Sequence, residues 1–143
     1  MHWNNEHILR SHWIAAVVAL AREFGPENVF VSVQESGSWD GSKGALRLLD
    51  QQLAELGIPR KIVLSHLTHA DEISKAPGAD GWIETPRGKT ELRRIPYLAR
   101  LRNEVIQPLY DTQNSSLRFD KILFLNDVVF QVRSSRVAES VHR

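Results

Sequence analysis

The sequence predicts an α/β fold: a mainly parallel, three-stranded sheet flanked by helices. Three observations carry this. Apolar stretches of helical and strand character alternate along the chain as helix, strand, helix, strand, helix, strand. The strand candidates are short and rich in β-branched residues, and a helix separates each pair, as a right-handed parallel crossover requires. The last candidate, Lys121–Phe130, holds Ile122 to Leu125 as an unbroken apolar run, the pattern of a strand covered on both faces. Three strands leave open edges, so the sheet is expected to be incomplete and to form part of a larger one.

The elements follow in order. The apolar run Trp13 to Ala21 reads as an amphipathic helix, with Ile14, Val17, Leu20, Ala21 and Phe24 on one side and Gly25-Pro26 ending it. Val29–Val33 reads as the first strand. The loop Glu35–Gly44 follows, with three glycines and three serines. A second helix carries Leu46, Leu49, Leu53 and Leu56 on one face; Gly57 suits its C-cap, and Pro59 prevents continuation. Lys61–Ser65 is the second strand. The polar stretch Thr68–Lys89, broken by Pro77, Gly78, Gly81, Pro86 and Gly88, reads as a long loop. A third helix starts at Leu92 or Ile95 and ends at Tyr110, with Ile95, Leu98, Leu101, Val105 and Leu109 inward and Pro96 in its first turn. The loop Asp111–Leu117 leads to the strand at Lys121. Residues 1–130 thus form one domain, and residues 131–143 a polar tail, helical or disordered.

Composition narrows the function. The 143 residues are 42% hydrophobic and 24% charged, and 18 basic against 17 acidic residues leave a net charge of +1. No global field draws the chain to nucleic acid or to a membrane. With no cysteine, disulfides and thiolate chemistry are excluded. The run Trp13–Ala21 is too short to span a bilayer, and no cleavage pattern of a signal peptide follows it.

Three segments end at one rim of the predicted sheet: the loop after Val33, the loop after Leu64, and Asn126-Asp127. Ligands of open α/β sheets sit outside the carboxyl ends of strands. Asn126 and Asp127 interrupt hydrophobic neighbours, where polar groups are costly to bury unless something binds them. Asp127 is placed to meet a metal-bound phosphate; the plainer reading is that the pair turns the chain. The first loop offers Glu35, Ser36, Ser38, Trp39 and Asp40, and its helix start presents N–H groups suited to phosphate. Trp39 is suited to stacking on a base or sugar. The plainer reading is an N-capping loop. Residues 87–102 hold six basic side chains, Arg94 and Arg102 among them, against one acid, Glu91. Guanidinium forks match phosphate oxygens, although such runs are usually solvated helix faces. Asn103, a poor helix former, sits mid-helix. His66, His69 and Asp71 make a loosely spaced zinc candidate and nothing stronger. No Walker loop, dinucleotide fingerprint or serine elbow is present.

Four blocks, Glu35–Leu46, Thr85–Lys89, Arg94–Asn103 and Phe119–Phe130, resemble in order those of the fungal capsule-associated α-1,3-mannosyltransferases, the cryptococcal mannosyltransferase family, over residues 29–130. The chain is also similar to the wider GT-A glycosyltransferases, with their Rossmann-like sheet, acidic serine-rich loop, Arg-Asn pair and Asp-x-Asp-like strand end. The resemblance implies a GDP-mannose donor, a divalent cation such as manganese or magnesium, and a mannose-containing glycan acceptor. It implies that Asp127 meets the metal or diphosphate, with Asn126 as partner ligand. Glu35 and Asp40 would meet the nucleoside and Arg102 the phosphates, with Ser36, Ser38, Arg94 and Asn103 also among the donor-binding residues. Full-length members are expected in the Golgi or secretory pathway, with a membrane anchor and an acceptor-binding half that this chain lacks. The expectation is a glycosyltransferase fragment holding the donor half; the alternative is a non-catalytic nucleotide- or sugar-binding remnant.

Overall fold

The first helix begins well before its apolar run. The computed structural model describes residues 1–74, 78, 81–111 and 118–132. In it a short turn α1 (Glu6–Ile8), a π-helical turn (Leu9–Trp13) and α2 (Ile14–Phe24) succeed one another without a break. The wider π turn shifts the phase of the apolar face. Leu9, Trp13, Ile14, Val17, Val18 and Ala21 are buried, whereas Leu20 is half-buried and Phe24 is exposed. Gly25, at φ +84°, ends the helix and donates its N–H to the Ala21 carbonyl.

β1 (Val31–Glu35), α3 (Ser42–Glu55) and β2 (Arg60–Leu64) form the predicted parallel crossover, in register from Val31 opposite Arg60 to Glu35 opposite Leu64. The leucine face of α3 behaves as its spacing predicts. Leu46, Leu49 and Leu53 are fully buried with Ala45, Val33 and Ile58 against α2. Each such leucine contributes about 1.5–3 kcal/mol of burial. Helices cover both faces of this pair, because α5 (Arg94–Asp111) packs on the other side, where the Ser32 hydroxyl donates to the Val105 carbonyl at 2.6 Å. Pro96 sits in the first turn of α5 as expected, and Pro108 in its last.

The stretch read as a loop holds more structure than its punctuation suggests. It contains α4 (His69–Ile73) and the first strand of a hairpin, β3 (Trp82–Glu84) paired antiparallel with β4 (Thr90–Leu92). The turn is closed by Thr85 N–H donating to the Lys89 carbonyl at 2.8 Å, with Gly88 at φ +68°. Three-residue strands are shorter than the alternation that reveals a strand in sequence. Residues 75–77, 79 and 80, the loop at 112–117 and residues 133–143 of the tail lie outside the described residues.

The third strand is a correction. Residues 118–132 run as irregular chain, and the parallel sheet has two strands. At the carboxyl end of β1, the edge opposite β2 is occupied by His2. Its N–H donates to the Gln34 carbonyl at 2.9 Å and its carbonyl accepts from Ser36 N–H at 3.0 Å, a parallel bridge to Glu35. A third parallel strand has no free groups to pair with there. The segment instead tucks Leu125 and Phe130 against the core and leaves Ile122, Leu123, Phe124, Val128 and Val129 exposed. The fold is α/β, and the described residues form one parallel and one antiparallel two-stranded sheet in place of the expected three-stranded one. Among the described residues no helix is long and apolar enough to cross a membrane.

Candidate functional site

The loop after β1 is closed by the segment that precedes the first helix. Asn4 N–H donates to Ser38 Oγ at 2.9 Å, and Trp39 N–H donates to Asn4 Oδ1 at 3.0 Å. Asn5 N–H donates to Ser42 Oγ at 2.9 Å, and Glu6 N–H to Asp40 Oδ2 at 3.1 Å. In return Gly41 N–H donates to Glu6 Oε2, and Ser42 N–H to Asp40 Oδ1, each at 2.9 Å. Two carboxylates therefore occupy the donors at the start of α3, where their charge also suits the helix dipole. The end that the sequence offers to phosphate is filled by the protein's own anions. The Arg10 guanidinium, 2.8 Å away, and Gly41 N–H hold the Glu6 carboxyl below its usual range. Burial pushes Asp40 up, but hydrogen bonds from Ser42 and from the Glu6 backbone outweigh it, so its net shift is downward.

Glu35, Ser36 and Ser38 lie together beneath this clamp, all buried. Glu35 accepts from Ser38 N–H, and its other oxygen lies 3.7 Å from the Lys43 ammonium, which donates to the Ser38 carbonyl at 2.7 Å. The Ser36 hydroxyl meets the Tyr97 hydroxyl at 2.6 Å, tying the loop to α5. Gly37 has φ +64°, and a Cβ there would collide with the backbone of Leu67 and Thr68. Glu35, Ser36, Ser38 and Asp40 thus stand in one loop whose shape their hydrogen bonds fix, while the buried Glu35 Oε2, facing the Lys43 ammonium, has no hydrogen-bond partner among the described residues.

Asn126, Asp127 and Arg102 face solvent. Asp127 Oδ2 accepts from Asn5 Nδ2 at 3.0 Å, and the backbone before it is anchored by Trp13 Nε1–H donating to the Asn126 carbonyl at 3.0 Å. The charges of Asp127 and Arg102 both act on the Met1 amine, which is lowered chiefly by burial. Asn5 thus holds Asp127 beside the loop after β1, and Arg102 stands on α5, the helix that packs against β1. His2 is buried edge-on against Trp13 at 4.3 Å, with neither ring nitrogen hydrogen-bonded among the described residues. Burial, then the Met1 amine, push its pKa down to about 4, against the pull of Asp127. Arg94 and Asn103 are exposed on α5, and among the described residues no hydrogen bond or ion pair joins them to the loop. Arg100 is engaged with Glu72 at 2.8 Å.

Of the zinc candidate, the His69 side chain lies outside the described residues. Asp71 caps α4, accepting from the Thr68 N–H and hydroxyl at 2.7 Å each, and among the described residues no three acidic or histidine groups could hold a metal. The residues that sequence reasoning passes over are His2 and the Asn4–Glu6 clamp. An Asn-Asn-Glu run ahead of an apolar stretch signals only the start of its own helix; that it also caps α3, more than thirty residues on, is a tertiary property.

Comparison with protein families gives one result. A family model described as cryptococcal mannosyltransferase 1 matches residues 1–142. The match takes in the first helix and the polar tail as well as the stretch from Val29 to Phe130. No curated protein and no solved structure matches the chain.

Proposed function

The chain belongs to the cryptococcal mannosyltransferase family, and from that premise we propose that it forms the donor-binding part of an α-1,3-mannosyltransferase using GDP-mannose and a mannose-containing acceptor. One observation carries the reading: Asn5, part of the segment that clamps the loop after β1, fixes the Asp127 carboxylate beside that loop. A carboxylate held there suits the cation of a metal diphosphate, and Arg102 on α5 offers a guanidinium for the phosphate oxygens.

Asp127 and Asn126 offer hard oxygen donors, which fit manganese or magnesium when the diphosphate supplies the other positions. Bound there, the cation would neutralise the charge that develops on the departing GDP. In this reading direct donor contact falls to Asp127, Asn126 and Arg102, while Arg94 adds positive charge and Asn103 a neutral amide to the exposed surface of α5. Glu35, Ser36, Ser38 and Asp40 fix the loop's shape.

A binding-only reading is favoured by one feature: among the described residues no three or more acidic or histidine side chains gather into a metal set. Two assays separate the alternatives. Calorimetric titration with GDP, with and without manganese, is expected to show binding that manganese strengthens. Release of mannose from GDP-mannose would mark the enzyme; binding without release, even with an α-mannoside present, would mark the binder. Absence of any GDP binding overturns both.

A further inference from the structure

Two tryptophans stand exposed on the clamp that shapes this loop. Trp39 is 74% exposed and Trp3 48%, and their rings meet edge to face at 5.0 Å and 87°. Large indoles are rarely left so open, and nothing in the packing of the loop demands it. Their backbone is nonetheless held firmly. Trp39 N–H is bonded to Asn4 Oδ1, and Asn4, directly after Trp3, takes a positive φ of +49° and donates its own N–H to Ser38 Oγ. A non-glycine residue kept in that region marks a conformation the surroundings enforce, and such positions cluster at ligand sites. Among the described residues neither indole N–H has a protein acceptor, so both are free to donate.

We propose that Trp3 and Trp39 form a saccharide subsite that receives a hexopyranose of the acceptor glycan. The perpendicular rings make a corner. The C–H face of a pyranose rests on the negative face of one indole while the other walls its edge. The free N–H groups and neighbouring amides meet its hydroxyls. The placement argues for acceptor over nucleotide. Asn4 holds Trp39, and Asn5, the next residue, holds Asp127, so one dipeptide joins the aromatic corner to the proposed diphosphate site. A sugar on the corner lies beside the donor rather than in its place. The inference rests on the proposed glycosyl transfer for its biological sense, but its test does not require GDP to bind.

The test follows the four indole N–H resonances by NMR during titration with α-1,3-mannobiose, then separately with GDP. Single variants Trp3→Ala and Trp39→Ala assign the signals, and the buried Trp13 is the internal reference. The expected result is that mannobiose shifts the Trp3 and Trp39 signals and leaves Trp13 still. Trp39→Ala should weaken mannobiose about tenfold or more, the ~1.4 kcal/mol expected of a lost stacking surface, with GDP affinity and thermal midpoint unchanged. If GDP fails to bind while mannobiose moves the pair, the subsite stands and the donor reading falls. If only GDP moves the pair, the corner belongs to the nucleotide and the inference is overturned. It is equally overturned if the signals track protein concentration instead of sugar, which would mark contact between copies of the chain, or if neither titrant moves them.

Discussion

At the residue scale, the site divides into side chains that build and side chains that face outward. Glu35, Ser36, Ser38 and Asp40 share one loop, whose glycines and serines announce a tight polar turn in the sequence. Their engagement with Asn4–Glu6 is not legible, because it depends on which distant donors the fold delivers. Asp127 is the reverse case: its hydrophobic flanks single it out, but the strand meant to carry it does not form. Arg102→Ala is expected to weaken GDP by about tenfold or more, the ~1.5–3 kcal/mol of a charged hydrogen bond, while guanosine affinity stays within twofold. Calorimetry with both ligands checks this, and equal losses would take Arg102 away from the diphosphate. Asn5→Ala keeps the backbone bond to Ser42 Oγ and removes only the amide that steadies Asp127. Manganese-dependent GDP affinity should fall by a factor of about three to ten, as expected for losing ~0.5–1.5 kcal/mol, with little change in stability.

At the element scale, α3 is the best-read part of the molecule, because its leucine spacing and Gly57 cap are local signals that tertiary structure reinforces. The β3–β4 hairpin is missed because its strands are too short to show a period. The last segment is misjudged because an apolar run looks alike whether it becomes a strand or drapes over a core; what decides is that His2 already pairs with the edge of β1. Glycines separate two kinds of constraint. Gly57, at φ +67° with open space around it, should lose only about 1 kcal/mol on change to alanine, from backbone strain alone. Gly37→Ala adds a clash with the Leu67–Thr68 backbone and should lose more than about 2 kcal/mol. Urea denaturation of the two variants side by side compares them. Equal losses would mean that the loop is not pinned against the chain after β2.

At the scale of the whole molecule, the parallel crossover brings the Glu35 loop, the Arg102 helix and Asp127 to one end, and the N-terminal segment fastens them together. The buried His2 makes that fastening sensitive to acid. Its folded pKa of about 4 lies below the usual 6.5, so between these values the unfolded chain binds more protons. Stability is therefore level above pH 6.5 with respect to this group and falls as pH drops toward 4, by about 3 kcal/mol in all. The lowered carboxyls of Glu6 and Asp40 add losses in the same direction at still lower pH. Denaturation midpoints at pH 7 and 4.5 should differ clearly in the native chain and far less in His2→Phe; the same dependence in both would remove His2 as its source.

The central claim is that Asp127 and the cation it holds receive a sugar donor's diphosphate. Titration of the native chain and of Asp127→Ala with GDP, at matched manganese concentrations, tests it most directly. Manganese is expected to tighten GDP binding in the native chain and to have no such effect in the variant, whose thermal midpoint stays unchanged. A variant that binds GDP as tightly as the native chain, with the same response to manganese, would contradict it.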